Sequence, residues 1–217
     1  MHSQNAGIKR RKLFSAGGLL GIGALIAPWR LSAQTNCQTT PAQTSGPFYP
    51  VRERADENAD LTHIDGRTNS ARGTPIIIRG RVLDESSTPV FGALVEIWQA
   101  CDSGRYDHPQ DDNTAPLDPN FQYWGRVETR ADGAYQFRTI LPGLYPGRTR
   151  HIHFRIVAPG SPTLVTQLYF AGEARNASDG IYRALTQRQR QQVTAKLDVT
   201  EGDDALVGEF DIWVGRQ

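Results

Sequence analysis

Short apolar runs separated by turn-forming clusters recur along most of the chain. Residues 76–83 lead into Asp84, Glu85, Ser86, Ser87, Thr88 and Pro89, and residues 93–98 follow as a second run. Residues 124–130 and 135–140 flank Ala131-Asp132-Gly133, which reads as a hairpin because Asp-Gly supplies the positive φ that tight turns need. Residues 151–157, 164–170 and 207–214 complete the strand set. Only residues 181–197 have the length and spacing of a helix. Many short strands and one short C-terminal helix predict a mainly β fold, an antiparallel β-sandwich with long loops that carry the chemistry. The longest loop, residues 104–122, holds Tyr106, His108, three prolines and several aspartates.

The stretch before the strands is different. Residues 34–73 are rich in Thr, Asn, Asp, Pro and Gly with little periodicity, and read as an extended arm leading into a domain over residues 74–217. Ahead of the arm, Lys9, Arg10, Arg11 and Lys12 precede a glycine-interrupted apolar run and the small pair Ser32-Ala33. That order is a signal peptide over residues 1–33. Paired arginines before a weakly apolar run are of the twin-arginine type, although Leu13-Phe14 reverses the usual order. The other reading is a general secretory signal with two chance arginines. Either predicts an exported protein, periplasmic or extracellular.

Charge then separates into two parts. The whole chain has 24 basic and 23 acidic residues, but residues 1–33 hold five basic and no acidic ones, which leaves 19 basic against 23 acidic in the remainder. An acidic body with scattered Lys and Arg argues against nucleic acid as a partner, and with the leader removed no membrane partner is expected. The two cysteines beyond the leader, Cys37 and Cys101, are free to pair in an oxidising compartment and would tie the arm to the domain.

The sharpest local chemistry is His151-Ile152-His153-Phe154. Alternation along a strand sends both imidazoles to one face while Ile152 and Phe154 pack behind. Imidazole suits Zn, Cu, Ni and Fe alike, and no Cys, Asp or Glu follows within the strand, so further ligands must come from elsewhere. Tyr106, at the end of a strand where the long loop starts, and Tyr145, in a Pro/Gly turn before the His strand, qualify by setting. Read singly, each is as well an amphipathic loop residue over a core edge.

Taken together these stretches resemble the intradiol ring-cleaving dioxygenases, most closely the members that cleave protocatechuate. The matching residues are 45–49, 73–82, 93–100, 104–106, 115–121, 142–146, 151–154 and 166–170. The resemblance implies a mononuclear non-haem Fe(III) held by Tyr106, Tyr145, His151 and His153, with Arg148 and Gln167 beside a catechol-type substrate. It implies that both atoms of O2 enter between the two hydroxylated carbons, giving a cis,cis-muconate-type dicarboxylate. Tyr145 would leave the metal as a base when substrate chelates, Tyr106 would stay, and Arg148 would stabilise charge on the ring. A phenol with an ordinary pKa near 10 binds as tyrosinate only to a strong Lewis acid, which ferric iron is. One departure is Gly147, where protocatechuate enzymes carry tryptophan; Arg150 and Tyr123 are the candidates to meet a ring substituent instead. His63 and His108 read as loop residues. A homo-oligomer is allowed. The competing class is a secreted β-sandwich binding module without a catalytic metal, its His pair incidental.

Overall fold

The computed structural model describes residues 38–51, 56, 58–199, 202 and 204–216. The leader expected over residues 1–33, and Cys37, lie outside them.

Among the described residues ten strands form two five-stranded sheets, both mixed. In the first, β1 (Pro75–Asp84) pairs antiparallel with β4 (Ala134–Ile140) and parallel with β9 (Leu206–Glu209) and β10 (Ile212–Val214), while β8 (Leu197–Val199) adds to β9. In the second, β2 (Leu94–Trp98), β3 (Trp124–Glu128), β5 (His151–Val157), β6 (Leu164–Phe170) and β7 (Thr194–Ala195) run in the order β3-β2-β5-β6-β7. The parallel pairings correct the purely antiparallel expectation. One buried apolar cluster draws on both sheets, with Ile76, Ile78, Phe137 and Ile140 from the first and Val95, Ile97, Ile152, Phe154 and Leu168 from the second.

Two further expectations change. The Asp132-Gly133 turn forms, with Gly133 at φ +73° and its N–H donating to Arg130 O at 2.8 Å, but β3 and β4 do not pair as a hairpin. Each strand has a longer partner elsewhere, β3 on β2 and β4 on β1, so the turn hands the chain from one sheet to the other. The single helix over 181–197 is two short ones, α1 (Gly180–Ala184) and α2 (Gln187–Gln192), with extended Leu185 between. Thr186 restarts the helix through a reciprocal capping box with Gln189, and residues 194–199 are drawn into strand pairings. Helical spacing survives within each piece, but Thr186 competes for the backbone more strongly than propensity carries the helix through.

The arm has no helix or strand over residues 38–51 and is tied to the sheets by hydrogen bonds. Thr40 N–H donates to Trp213 O, and Gln43 N–H to Val165 O. Tyr49 reaches the buried Glu96, which also pairs with Arg155. Cys101 is buried with a free thiol, so the expected bridge to Cys37 has no counterpart among the described residues.

Candidate metal centre

β5 lies between β2 and β6, and its residues 151–154 are all buried. The imidazoles of His151 and His153 share a face, their ring centroids 4.9 Å apart. His151 Nδ1 lies 2.7 Å from Thr149 O, so it carries the proton and donates there, leaving the Nε2 lone pair directed into the site. His153 stacks on Trp98 at 4.8 Å with planes 6° apart, and its Nδ1 is buried without a partner. Burial pushes the His151 pKa down to about 3, with the Arg148 charge acting in the same sense. Burial likewise holds His153 well below the ordinary value. Both rings are therefore neutral at neutral pH, the form that ligates a metal.

The tyrosines arrive from two loops that meet backbone to backbone. Gly104 and Gly143 make this contact: a Cβ on Gly104 would lie 2.2 Å from Leu144 O, and one on Gly143 would lie 2.2 Å from Asp102 O and from Gly104 N. Gly104 also sits at φ +83°, which glycine alone adopts without strain. The N–H groups of both glycines donate to Cys101 O. Within the long loop, Tyr106 N–H donates to Asp111 Oδ2 at 2.6 Å and Arg105 Nη1 to Ala115 O at 2.8 Å, so the loop is held by its own polar groups.

As a result four rings converge. The Tyr145 hydroxyl donates to His151 Nε2 at 3.2 Å, and the ring centroids of Tyr106 and Tyr145 are 5.7 Å apart, those of Tyr106 and His153 6.4 Å. The Tyr106 hydroxyl is buried with no hydrogen-bond partner among the described residues. Burial drives the pKa of Tyr106 far above 10, and the neighbouring Tyr145 adds to the rise. Burial raises Tyr145 too, opposed in part by the Arg148 charge. A buried phenol without a partner, facing two neutral imidazoles, is costly as it stands and is satisfied by a cation. Among the described residues no group of three or more His, Cys, Asp or Glu comes together, so a metal held here takes phenolic oxygens with the imidazoles. The residues fit such an ion.

Arg148 and Gln167 lie beside these rings. Arg148 donates through Nε to Asp179 at 2.8 Å, through Nη1 to His151 Nε2 at 3.3 Å and through Nη2 to Gln167 Oε1 at 2.6 Å. Burial works against its charge, but Asp179 and Tyr145 outweigh this and raise its pKa. Gln167 donates to Thr44 O at 2.8 Å, and Tyr169 bridges Gln43 and Gln167.

Sequence reasoning missed Asp179. Its buried carboxylate caps α1, accepting from Ile181 and Tyr182 N–H, while also accepting from Arg148 Nε and Thr149 N–H. Asp before a helical run is an N-cap signature, so the cap was readable but its grip on Arg148 was not. Of the two residues expected to meet a ring substituent, Arg150 pairs with Glu173 and donates to Pro142 O, and Tyr123, whose hydroxyl accepts from Asp118 N–H, lines a cleft together with Tyr106. His63 is exposed and His108 half-buried, outside the convergence.

A family profile described as Dioxygenase matches residues 44–214. The chain is 42% identical over 177 residues to the protocatechuate 3,4-dioxygenase beta chain of Burkholderia cepacia, covering 76% of this chain and 75% of that one. It is 30% identical over 196 residues to the 6-chlorohydroxyquinol 1,2-dioxygenase of Cupriavidus pinatubonensis, covering 82% and 67%. Among solved structures, the dioxygenase domain of a dioxygenase carbohydrate-binding protein fusion from Streptomyces sp. SirexAA-E superposes with a TM-score of 0.65 at 33% identity, over 83% of this chain and the whole of that one. With its four converging rings and these relatives, the chain belongs to the intradiol ring-cleaving dioxygenase family.

Proposed function

We propose that this chain is a non-haem Fe(III) intradiol dioxygenase. It cleaves the bond between the two hydroxylated carbons of a catechol-type ring, protocatechuate or a related diol, with both atoms of O2 entering the product dicarboxylate. The observation that carries the reading is the convergence of Tyr106, Tyr145, His151 and His153 around an unpartnered, buried phenol. Ferric iron, when bound, supplies the positive charge that ionises phenols and withdraws electron density from the catechol ring.

The chain's own residues do the rest. Tyr106, fully buried, is the permanent anchor. Tyr145 is half-buried at the edge of a cleft, and its Oη is placed to take a proton from a substrate hydroxyl as the substrate enters. Arg148 directs a fixed positive charge at the ring, held by Asp179 and Gln167 before substrate arrives, so little reorganisation is needed in the reaction. Trp98, stacked on His153, and Phe48, 4.9 Å from Tyr106, give the phenolic side an aromatic wall, and both line a cleft of about 420 Å³ together with Tyr106. An exported location rests on the leader sequence.

Iron content, visible absorption and oxygen uptake with a panel of substituted catechols test the proposal on protein purified so that metal is retained. The expected result is one iron per chain, a coloured protein and uptake with at least one catechol. A colourless, iron-free protein that consumes no oxygen overturns it.

A further inference from the structure

The Arg148 guanidinium donates to Asp179, His151 and Gln167. It opens nevertheless onto a cleft of about 530 Å³ that also contains Tyr145, Gly147, Arg175 and Ser178. Among the described residues no acidic side chain lines this cleft, although the body of the protein is acidic. Arg175, at the 3-10 helix Ala174–Ala177, reaches across it and donates through Nη1 to Tyr145 O at 3.3 Å. Among the described residues no carboxylate pairs with the Arg175 guanidinium. The nearest in sequence, Glu173, pairs with Arg150. Several other arginines pair with carboxylates, Arg79 with Glu209, Arg138 with Asp204, Arg155 with Glu96 and Arg216 with Asp84, while Arg105 and Arg190, like Arg175, donate to backbone carbonyls.

Space lies beside this charge. A Cβ on Gly147, at φ +78°, would meet nothing within 4 Å, so no side chain fills the wall between Tyr145 and Arg148. The Ser178 hydroxyl is occupied by Arg175 O. The cleft therefore presents an unmatched planar cation next to the phenol that a catechol would displace, and a guanidinium best matches a carboxylate, which it holds through two parallel hydrogen bonds.

Resting on the function proposed above, we infer that Arg175 is a specificity-determining residue, holding an anionic ring substituent, a carboxylate above all, of a catechol bound beside Tyr145. Arg148 addresses the reacting ring, and Arg175 addresses what the ring carries.

Oxygen uptake by the full chain is measured with 3,4-dihydroxybenzoate and with catechol, for the unaltered protein, Arg175→Gln and Arg175→Lys. Arg175→Gln is expected to raise KM for the dihydroxybenzoate about tenfold or more, with kcat and both catechol constants within about twofold, and Arg175→Lys to recover part of the loss. Equal losses on both substrates, or an unchanged KM for the dihydroxybenzoate, overturn the inference. Calorimetric binding of 4-hydroxybenzoate against phenol gives a readout without turnover. A preference for the carboxylated ligand that Arg175→Gln removes upholds the role of Arg175; equal affinity, or binding of neither, refutes it. A protein that consumes no oxygen with any catechol of the panel overturns the dioxygenase reading, and the calorimetry then decides on Arg175 alone.

Discussion

The hydroxyl of Tyr106 is buried without a partner, while that of Tyr145 donates to His151, so the two phenols are chemically distinct before any metal is considered. Tyr106→Phe removes only the oxygen and keeps the ring packing against Phe48. It is expected to abolish iron retention, read as loss of iron content and of visible absorption, with thermal stability of the stripped protein unchanged or raised. Arg148→Lys keeps one charge but cannot reach Asp179, His151 and Gln167 together. Steady-state oxygen uptake should show kcat reduced by roughly 10²-fold with a smaller change in KM, the pattern of a lost transition-state contact. At this scale the sequence was uneven. Alternation alone placed His151 and His153 on one face, because strand geometry is local. Tyr106 and Tyr145 qualified by setting but read as well as loop residues, and the resemblance singled them out.

Loops and a helix cap bring the remaining groups to the two histidines that β5 presents. Gly104 and Gly143 allow the loop carrying Tyr106 to lie against the loop carrying Tyr145 at a separation no Cβ tolerates. Gly143→Ala should therefore destabilise the fold by about 2 kcal/mol or more, seen as a lower urea midpoint, and should weaken iron binding alongside. Asp179 joins the start of α1 to Arg148. Burial opposes its charge, but the N–H groups of Tyr182 and Thr149 and the Arg148 guanidinium prevail, holding its carboxyl below the ordinary 3.8. Its contribution to stability is thus fully present above about pH 3.8 and is lost as pH falls through the lower folded value. Asp179→Asn, which cannot ionise, is expected to lose about 3 kcal/mol at neutral pH, because it leaves Arg148 without its buried partner. Its stability should also fall less steeply below pH 4, as followed by urea unfolding across pH.

Across the whole molecule, the arm closes over residues more than a hundred positions away. Gln43 donates to Thr166, Thr44 accepts from Gln167, and Gly46 lies against the His153 ring. The site thus depends on the arm being in place. Removing the metal by chelation should lower the melting temperature by several degrees, since an ion bound only by the folded chain stabilises it by mass action. Differential scanning calorimetry of loaded and stripped protein measures this; identical curves would mean that no resident metal is held.

Strand positions, the Asp132-Gly133 turn, the face shared by the two histidines and the polar arm followed from the sequence, because each is set by steric and hydrophobic preferences acting within a few residues. Pairing did not. Whether β3 joined β4 or β2 depended on which partner offered the longer ladder, and the helix over 181–197 divided where Thr186 found Gln189. The tertiary structure alone decided that Asp179 grips Arg148, that Arg150 pairs with Glu173, and that Arg175 is left facing the cleft. Such choices arise from contacts between segments far apart in the chain, where hydrogen-bond partners compete and sequence spacing carries no information about which one wins.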